Sequence, residues 1–178
     1  DVAQARDTSS IKDIQVWENA EDADPAGDLA DILRQCALGG ERVGIELDNF
    51  GLTGANHAAV EKALTGVCDL EDASDVVRGL RLIKSDAELD FVRKAARLAD
   101  RAVEAVQAGA RPGVLDSKLT AAAMTAILEG GGDMPPAGPL VNSGRRSLYG
   151  RGVGGPRALS DSDQVIVELA GTFRRYNA

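Results

Sequence analysis

The stretch RLIKSDAE at residues 81–88 decides how the second half of this chain folds. Ser85 and Glu88 have the spacing of a capping box, in which the serine hydroxyl and the glutamate carboxylate bind backbone amides of the first helical turn. Apolar residues then recur at alternating steps of three and four, which predicts a long amphipathic helix that ends at Gly109. The predicted apolar stripe consists of Leu89, Val92, Ala96, Ala99, Val103 and Val106.

A second helix and a long loop are predicted next. The turn Arg111-Pro112-Gly113 leads into an alanine-rich helix over residues 116–129, with Asp116 as its cap. Residues 133–156 are rich in glycine and proline, so they predict a loop with one short strand, at residues 140–142.

The last predicted strand pair carries an acidic residue in an apolar setting. The run QVIVEL at residues 164–169 predicts a buried strand, which turns at Ala170-Gly171 and pairs with residues 172–176. Glu168 lies inside that run, and an ionised carboxylate is costly to bury unless it is paired or bound to a cation. We therefore expect a ligand or a reacting group to hold Glu168 there.

Residues 1–80 alternate predicted strands and helices, which is typical of an α/β domain with a parallel or mixed sheet. Strands are predicted at residues 10–17 (SIKDIQVW), 42–47 and 68–71. Helices are predicted from Pro25, capped by Asp24, to Gly39, and over residues 53–64. Residues 72–84 are interpreted as the connection to the second domain.

The composition is that of a globular protein with enough apolar side chains for one or two cores, since 44% of the 178 residues are hydrophobic and 27% are charged. The formal net charge of −8 argues against nucleic acid and anionic membrane surfaces as partners. No apolar run approaches the roughly 20 residues that cross a bilayer. We therefore expect a cytoplasmic protein that binds a small molecule or another subunit.

Arginines cluster in the second half of this acidic chain. Two interpretations are open: a solvated surface that balances charge, and a binding site for a carboxylate, which arginine holds through two parallel hydrogen bonds. The cluster consists of Arg145, Arg146, Arg151, Arg157, Arg174 and Arg175.

In their order and spacing, these motifs resemble the catalytic domain of the creatinase, aminopeptidase P and prolidase superfamily, which has the pita-bread fold. Its members open that domain with the pattern R-x-I-K-S/T-x-x-E, found here from Arg81 to Glu88, and continue with a P-G-V turn, found at residues 112–114. The strand around Glu168 falls where the superfamily carries its first metal-binding aspartate.

The resemblance implies two domains. Residues 1–80 are expected to form a creatinase-type N-terminal α/β domain whose start is missing, and residues 81–178 the first half of an α+β pita-bread domain. The chain begins at Asp1 without methionine and stops at Ala178 directly after a predicted strand, so we expect an incomplete piece, inactive by itself, of a longer protein. Similar proteins imply a homodimer.

The resemblance leaves the cofactor open. Aminopeptidase P and prolidase bind two metal ions, whereas creatinase and ectoine hydrolase-like proteins imply no metal. Here Glu168 replaces the metal-binding aspartate, and the segment that usually carries a substrate-contacting histidine offers Tyr149 and Arg151 instead. The only histidine, His57, is interpreted as structural rather than as half of a metal site with Glu61. The metal ligands are therefore unknown.

The string Glu168-Leu169-Ala170-Gly171, followed by Arg175-Tyr176, is most similar to ectoine hydrolase and its relatives, although Asn177 stands where these carry histidine. The resemblance implies a hydrolase of a C–N bond in a small amide, amidine or peptide, either ectoine hydrolase-like or Xaa-Pro peptidase-like. The alternative is an inactive binding or partner-recruiting protein on the same fold. The implied catalytic residues are Glu168 and Tyr149, and the implied substrate-binding residues are Asn142, Arg145, Arg151, Arg175 and Tyr176.

Overall fold

A computed structural model describes residues 2–17 and 20–178 of the chain. The chain divides into two compact units, Asp1–Ile83 and Lys84–Ala178. No helix in the described part of the chain is long and apolar enough to span a membrane.

The first unit is built around a parallel pair of short strands. Residue Arg42 on the first strand lies opposite Asp69 on the second. The predicted cap is confirmed, because the Asp24 carboxylate accepts a hydrogen bond from the backbone N–H of Gly27 at 3.0 Å. A small core of Ala30, Leu64 and Val67 joins two of the helices to the strands. The elements are α1 (Val2–Thr8), α2 (Pro25–Gln35), β1 (Arg42–Ile45), α3 (Gly54–Leu64), β2 (Asp69–Asp72) and α4 (Ser74–Leu82).

One strand prediction for this unit is wrong, and one helix was not predicted. Residues 10–17 do not form a strand, and the Trp17 side chain is 52% exposed. Alternating polarity makes a strand only where a neighbouring strand completes the hydrogen-bond ladder, and no described residue does so here. The connection predicted over residues 72–84 contains a helix, α4. At its start the Asp72 carboxylate accepts a hydrogen bond from the Ser74 N–H at 2.9 Å.

The second unit packs two long helices against short antiparallel strands. The predicted capping box is present, since the Ser85 N–H donates to the Glu88 carboxylate at 2.8 Å and the Glu88 N–H donates to the Ser85 hydroxyl at 3.4 Å. The elements are α5 (Asp86–Gly109), α6 (Asp116–Glu129), β3 (Leu140–Ser143), a 3-10 helix (Gly144–Leu148), β4 (Val165–Glu168), β5 (Thr172–Phe173) and β6 (Tyr176–Asn177). The core consists of Ala102, Val106, Leu119, Ala123, Ile127, Val141 and Leu159.

The buried stripe of α5 differs from the predicted one. The fully buried residues are Ala95, Leu98, Ala102 and Val106. Of the predicted stripe, Val106 is buried and Val103 is exposed, while the others, Leu89, Val92, Ala96 and Ala99, are partly buried. Small residues on α5 offer more than one stripe with helical spacing. The backbone at Gly171 comes close to this helix, since a Cβ atom there would lie 2.0 Å from the carbonyl oxygen of Ala95 and 2.6 Å from the nitrogen of Ala99, so only glycine fits.

Strand pairing also differs from the prediction. β4 pairs antiparallel with β3, whereas β5 and β6 pair with each other. The turn between β5 and β6 lies at Arg174 and Arg175, whose φ angles of 51° and 67° are in the left-handed region. The predicted partner of β4, residues 172–176, is therefore a separate hairpin.

Candidate functional site

The β3–β4 pair has one face on the helices and one face away from them. Its inner face carries Val141, Val165 and Val167, which pack against the core of α5 and α6. Because side chains alternate along a strand, the residues between these lie on the other face. In the antiparallel register Leu140 lies opposite Glu168, and Asn142 opposite Ile166. We call these four residues the outer face.

Glu168 lies on the outer face, and its predicted burial is wrong. The residue is exposed, and so is its neighbour on that face, Ile166, at 39%. Water solvates the carboxylate in this chain, so no ligand is needed to offset a cost of burial. The assignment of Glu168 as a catalytic residue stays a prediction that rests on its position in the strand.

Asn142 is the buried polar residue of the outer face, with 3% of its surface exposed. Its side-chain Nδ2 donates hydrogen bonds to the carbonyl oxygens of Tyr149, at 3.4 Å, and Arg151, at 3.2 Å. These contacts bring together three of the residues predicted for the site. Glu168 shares the sheet face from which Asn142 reaches them.

A cavity of about 420 Å³ lies beside β3, between the start of α6 and the glycine-rich loop, which we define as residues 149–156. Hydroxyl, amide and carboxylate groups alternate in its wall with apolar side chains, so it suits a small polar molecule. The lining residues include Asp116, Thr120, Leu140, Asn142, Val153 and Pro156.

The arginine cluster splits into structural and exposed members. Arg157 forms an ion pair with Asp163 and donates to the hydroxyl of Ser143 at 3.0 Å. The Arg157 guanidinium, followed by the N–H and hydroxyl of Ser160, holds the pKa of Asp163 well below its usual range. Arg146 donates to the carbonyl oxygen of Gly155 at 2.5 Å. Arg146 and Arg157 are thus part of the loop's internal framework.

The predicted role of Asp116 as the cap of α6 is wrong. The residue does not cap α6, because its Oδ1 accepts a hydrogen bond from the backbone N–H of Arg157 at 2.9 Å. Its Oδ2 lies 3.9 Å from the guanidinium of Arg146. The carboxylate therefore joins both ends of the glycine-rich loop to the start of α6.

The other predicted site residues lie on exposed loops or on the β5–β6 hairpin. Arg145 and Arg151 are exposed. Arg175 is exposed at the hairpin turn, where its backbone N–H donates to the Asp133 carboxylate at 3.0 Å. The Tyr176 hydroxyl donates to Glu88 at 2.8 Å, and its ring centroid lies 5.5 Å from that of Phe91. Their roles toward a substrate stay predictions.

Asp163 was not predicted, although a local signal exists. Its carboxylate accepts hydrogen bonds from the Ser160 N–H at 2.8 Å and the Ser160 hydroxyl at 2.7 Å. A serine followed by an acidic residue three positions later has this local hydrogen-bonding pattern at other turns and caps. The partnership with Arg157, in contrast, has no signature in the sequence.

The resemblance to prolidase implies two bound metal ions, which need several His, Asp or Glu ligands close together. At the position of the metal-binding aspartate stands Glu168, which is exposed. Within residues 2–17 and 20–178, no three His, Cys, Asp or Glu side chains come together as a candidate metal site. The described residues therefore do not hold such a pair by themselves.

Solved structures of known proteins share this fold. The X-Pro aminopeptidase from Thermotoga maritima superposes with a TM-score of 0.81 over 99% of this chain and 46% of that chain, at 19% identity. The Xaa-Pro dipeptidase from Bacillus anthracis superposes with a TM-score of 0.66 over 79% of this chain and 38% of that chain, at 26% identity. The fold is that of the pita-bread class: an α/β N-terminal domain followed by the first part of an α+β domain.

The sequence matches define the family. Residues 90–178, half of the chain, match metallopeptidase family M24, and residues 1–83 match the creatinase/prolidase N-terminal domain. The chain belongs to metallopeptidase family M24, as the resemblance to the pita-bread superfamily implied.

Curated relatives carry two activities in their names. The chain is 26% identical over 134 residues to the Xaa-Pro dipeptidase of Pyrococcus furiosus, a match that covers 74% of this chain and 38% of the relative. It is 25% identical over 149 residues to the ectoine hydrolase of Halomonas elongata, covering 76% of this chain and 36% of the relative. The chain thus spans less than half the length of these relatives.

Proposed function

We propose that the protein to which this chain belongs hydrolyses a C–N bond in a small amide, amidine or dipeptide. The observation that carries the proposal is the outer face, where Glu168 shares a sheet surface with Asn142, which holds Tyr149 and Arg151. A carboxylate, a phenol and a guanidinium supply a proton acceptor, a hydrogen-bond donor and an anion-binding group, and Asn142, which holds the segment of the last two, lines the cavity beside β3.

The roles follow from this chemistry. Glu168 accepts a proton from the attacking water, whose oxygen bonds to the electrophilic carbon, and returns the proton to the leaving nitrogen as the C–N bond breaks. The Tyr149 hydroxyl donates to the oxygen or nitrogen that gains charge at the reacting centre. Arg151, with Arg145, binds a carboxylate of the substrate.

Two versions of this function differ in the metal. The ectoine hydrolase-like version uses side chains alone, and the glutamate at position 168 favours it, because that position carries an aspartate in the metal-binding pattern. The Xaa-Pro dipeptidase-like version needs a divalent metal pair, and no three His, Cys, Asp or Glu side chains come together for one among the described residues. The relatives' names give the inactive alternative no support.

The test uses the full-length protein with ectoine, creatine and Xaa-Pro dipeptides, each with and without a chelator. If ectoine or creatine is cleaved equally well with and without the chelator, the result supports the metal-free version. If a dipeptide is cleaved and the chelator stops the cleavage, the result rejects that version. Glu168→Gln should lower kcat by about 100-fold or more. The matched control is Glu129→Gln, an exposed carboxylate at the end of α6, which should retain activity. No turnover of any substrate would favour the inactive alternative.

A further inference from the structure

Asn142 is committed to the loop rather than to a ligand. Its side-chain nitrogen has two hydrogens to donate, and two backbone carbonyl oxygens, those of Tyr149 and Arg151, accept from that nitrogen. The residue is 3% exposed, whereas Tyr149 and Arg151 are exposed. The amide therefore acts on the segment that carries the phenol and the guanidinium.

The segment needs such a clamp. Gly150 separates the two carbonyls, and further glycines follow at positions 152, 154 and 155, without helix or strand. Glycine loses more conformational freedom on ordering than any other residue, so this loop has little order of its own. Arg146 holds its far end through the Gly155 carbonyl at 2.5 Å. Two side chains from β3 and the 3-10 helix thus fix the loop at both ends.

Fixing the backbone at Arg151 limits where its guanidinium can go. One of its five donors binds the Gly150 carbonyl oxygen at 3.3 Å, which keeps the side chain folded along the loop. A guanidinium holds a carboxylate well only in a defined orientation, because the two parallel hydrogen bonds are directional. Release of the Tyr149 and Arg151 carbonyls would lose that orientation.

We propose that Asn142 is a positioning residue whose amide clamps residues 149–151, and that the preference of the site for a substrate carboxylate depends on this clamp. The inference rests on the proposed function for the role of Arg151. It replaces the earlier prediction that Asn142 binds substrate directly.

The kinetic test compares two substrates that differ only in charge, a dipeptide acid and its C-terminal amide, in the full-length protein. Asn142→Ala and Arg151→Gln should each lower the ratio of kcat/KM for the acid to kcat/KM for the amide by about tenfold or more, tenfold being the lower end of the effect of a hydrogen bond to a charged group. The double variant should lose no more than Arg151→Gln alone, because both changes remove one function. Equal losses on acid and amide, or additive losses in the double variant, would overturn the role of Asn142.

Two further variants separate positioning from folding. Asn142→Leu has a similar side-chain volume without the donors, so it should repeat the effect of Asn142→Ala even if the alanine variant folds poorly. Thr172→Ala is the matched control, because Thr172 is buried in the same unit, with 2% of its surface exposed, and its hydroxyl donates to Asn177 instead of holding residues 149–151. It should leave the acid-to-amide ratio unchanged.

Amide hydrogen exchange tests the clamp without any activity. Exchange of the Tyr149 amide, which donates to the Arg146 carbonyl oxygen at 3.0 Å, should become about tenfold faster in Asn142→Leu, as expected for the loss of side-chain hydrogen bonds that order the segment, and should not change in Thr172→Ala. Unchanged exchange in Asn142→Leu would overturn the clamp. If the wild type cleaves neither substrate, the proposed function and the substrate preference fail together, while the exchange result still decides the clamp.

Discussion

The hydroxyl of Tyr176 donates a 2.8 Å hydrogen bond to Oε1 of Glu88, across 88 positions of the chain. The other carboxylate oxygen of Glu88, Oε2, accepts from the Ser85 N–H and hydroxyl in the capping box. One carboxylate thus starts α5 and holds the β5–β6 hairpin against it. The phenol of Tyr176, predicted to bind substrate, contributes here to the packing of the domain.

The Glu88 carboxylate should make stability depend on acid pH. Hydrogen bonds from the Ser85 N–H and hydroxyl, and then from the Tyr176 phenol, lower the pKa of Glu88 from its ordinary 4.5 to about 2. A carboxylate whose pKa falls on folding stabilises the folded state fully above its unfolded pKa and loses this effect as pH falls through the folded pKa. The stability advantage of the wild type over Glu88→Gln should therefore shrink between pH 4.5 and pH 2.

Denaturant unfolding of the full-length protein at a series of pH values measures this advantage. Glu104→Gln, which removes an exposed carboxylate from the same helix, is the control and should give a smaller difference from wild type at pH 6. An advantage for Glu88 that stays constant down to pH 2 would contradict the prediction.

Truncation of a side chain in α6 should lower the free energy of unfolding strongly at Ile127 and only slightly at its neighbour Leu128. Ile127 has no exposed surface and lies in the core with Val141, whereas Leu128 is 41% exposed. Ile127→Ala should lower the free energy of unfolding by about 2 to 5 kcal/mol, because it removes buried methyl groups and leaves a cavity. Leu128→Ala should cost less than about 1 kcal/mol. Similar losses in the two variants would show that α6 packs in a different rotation.

A methyl group at Gly171 should disrupt the close packing of this residue's backbone against α5. The added Cβ would lie 2.0 Å from the Ala95 carbonyl oxygen and 2.6 Å from the Ala99 nitrogen, and both are backbone atoms that cannot turn away. Gly171→Ala should therefore cost about 3 kcal/mol, the upper part of the range for overpacking. Gly154→Ala has open space around its Cβ and should change stability by less than about 1 kcal/mol. Calorimetry of the two variants is the measurement, and a Gly171→Ala protein as stable as wild type would refute the contact.

The Arg157–Asp163 pair should matter more than any exposed arginine of the cluster. The Asp163 side chain is 8% exposed, so removing its guanidinium partner leaves a buried carboxylate without its counter-charge. Arg157→Met should lower Tm clearly, whereas Arg145→Met, at an exposed position, should leave Tm nearly unchanged. Thermal unfolding monitored by circular dichroism compares the two. Equal effects would place Arg157 outside the internal framework of the loop.

Elements with local signals were predictable from the sequence. The capping box at Ser85 and Glu88, the glycine after α6 and the Asp24 cap of α2 each depend on residues within about four positions of one another. The family could also be inferred, because its motifs occur in a fixed order along the chain. Such features are predictable because the side chain and the backbone group that it binds belong to the same short segment.

Only the tertiary structure decided which of these residues face water and which partners they have. Glu168 sits in an apolar run, yet it is exposed, because the valines that alternate with it are the residues packed on α5 and α6. Asp116 was predicted to cap a helix, but its carboxylate accepts a hydrogen bond from the backbone N–H of Arg157, 41 positions away. Burial and side-chain pairing depend on contacts between segments that are far apart in the sequence. The periodicity of one segment does not show which other segment packs against it.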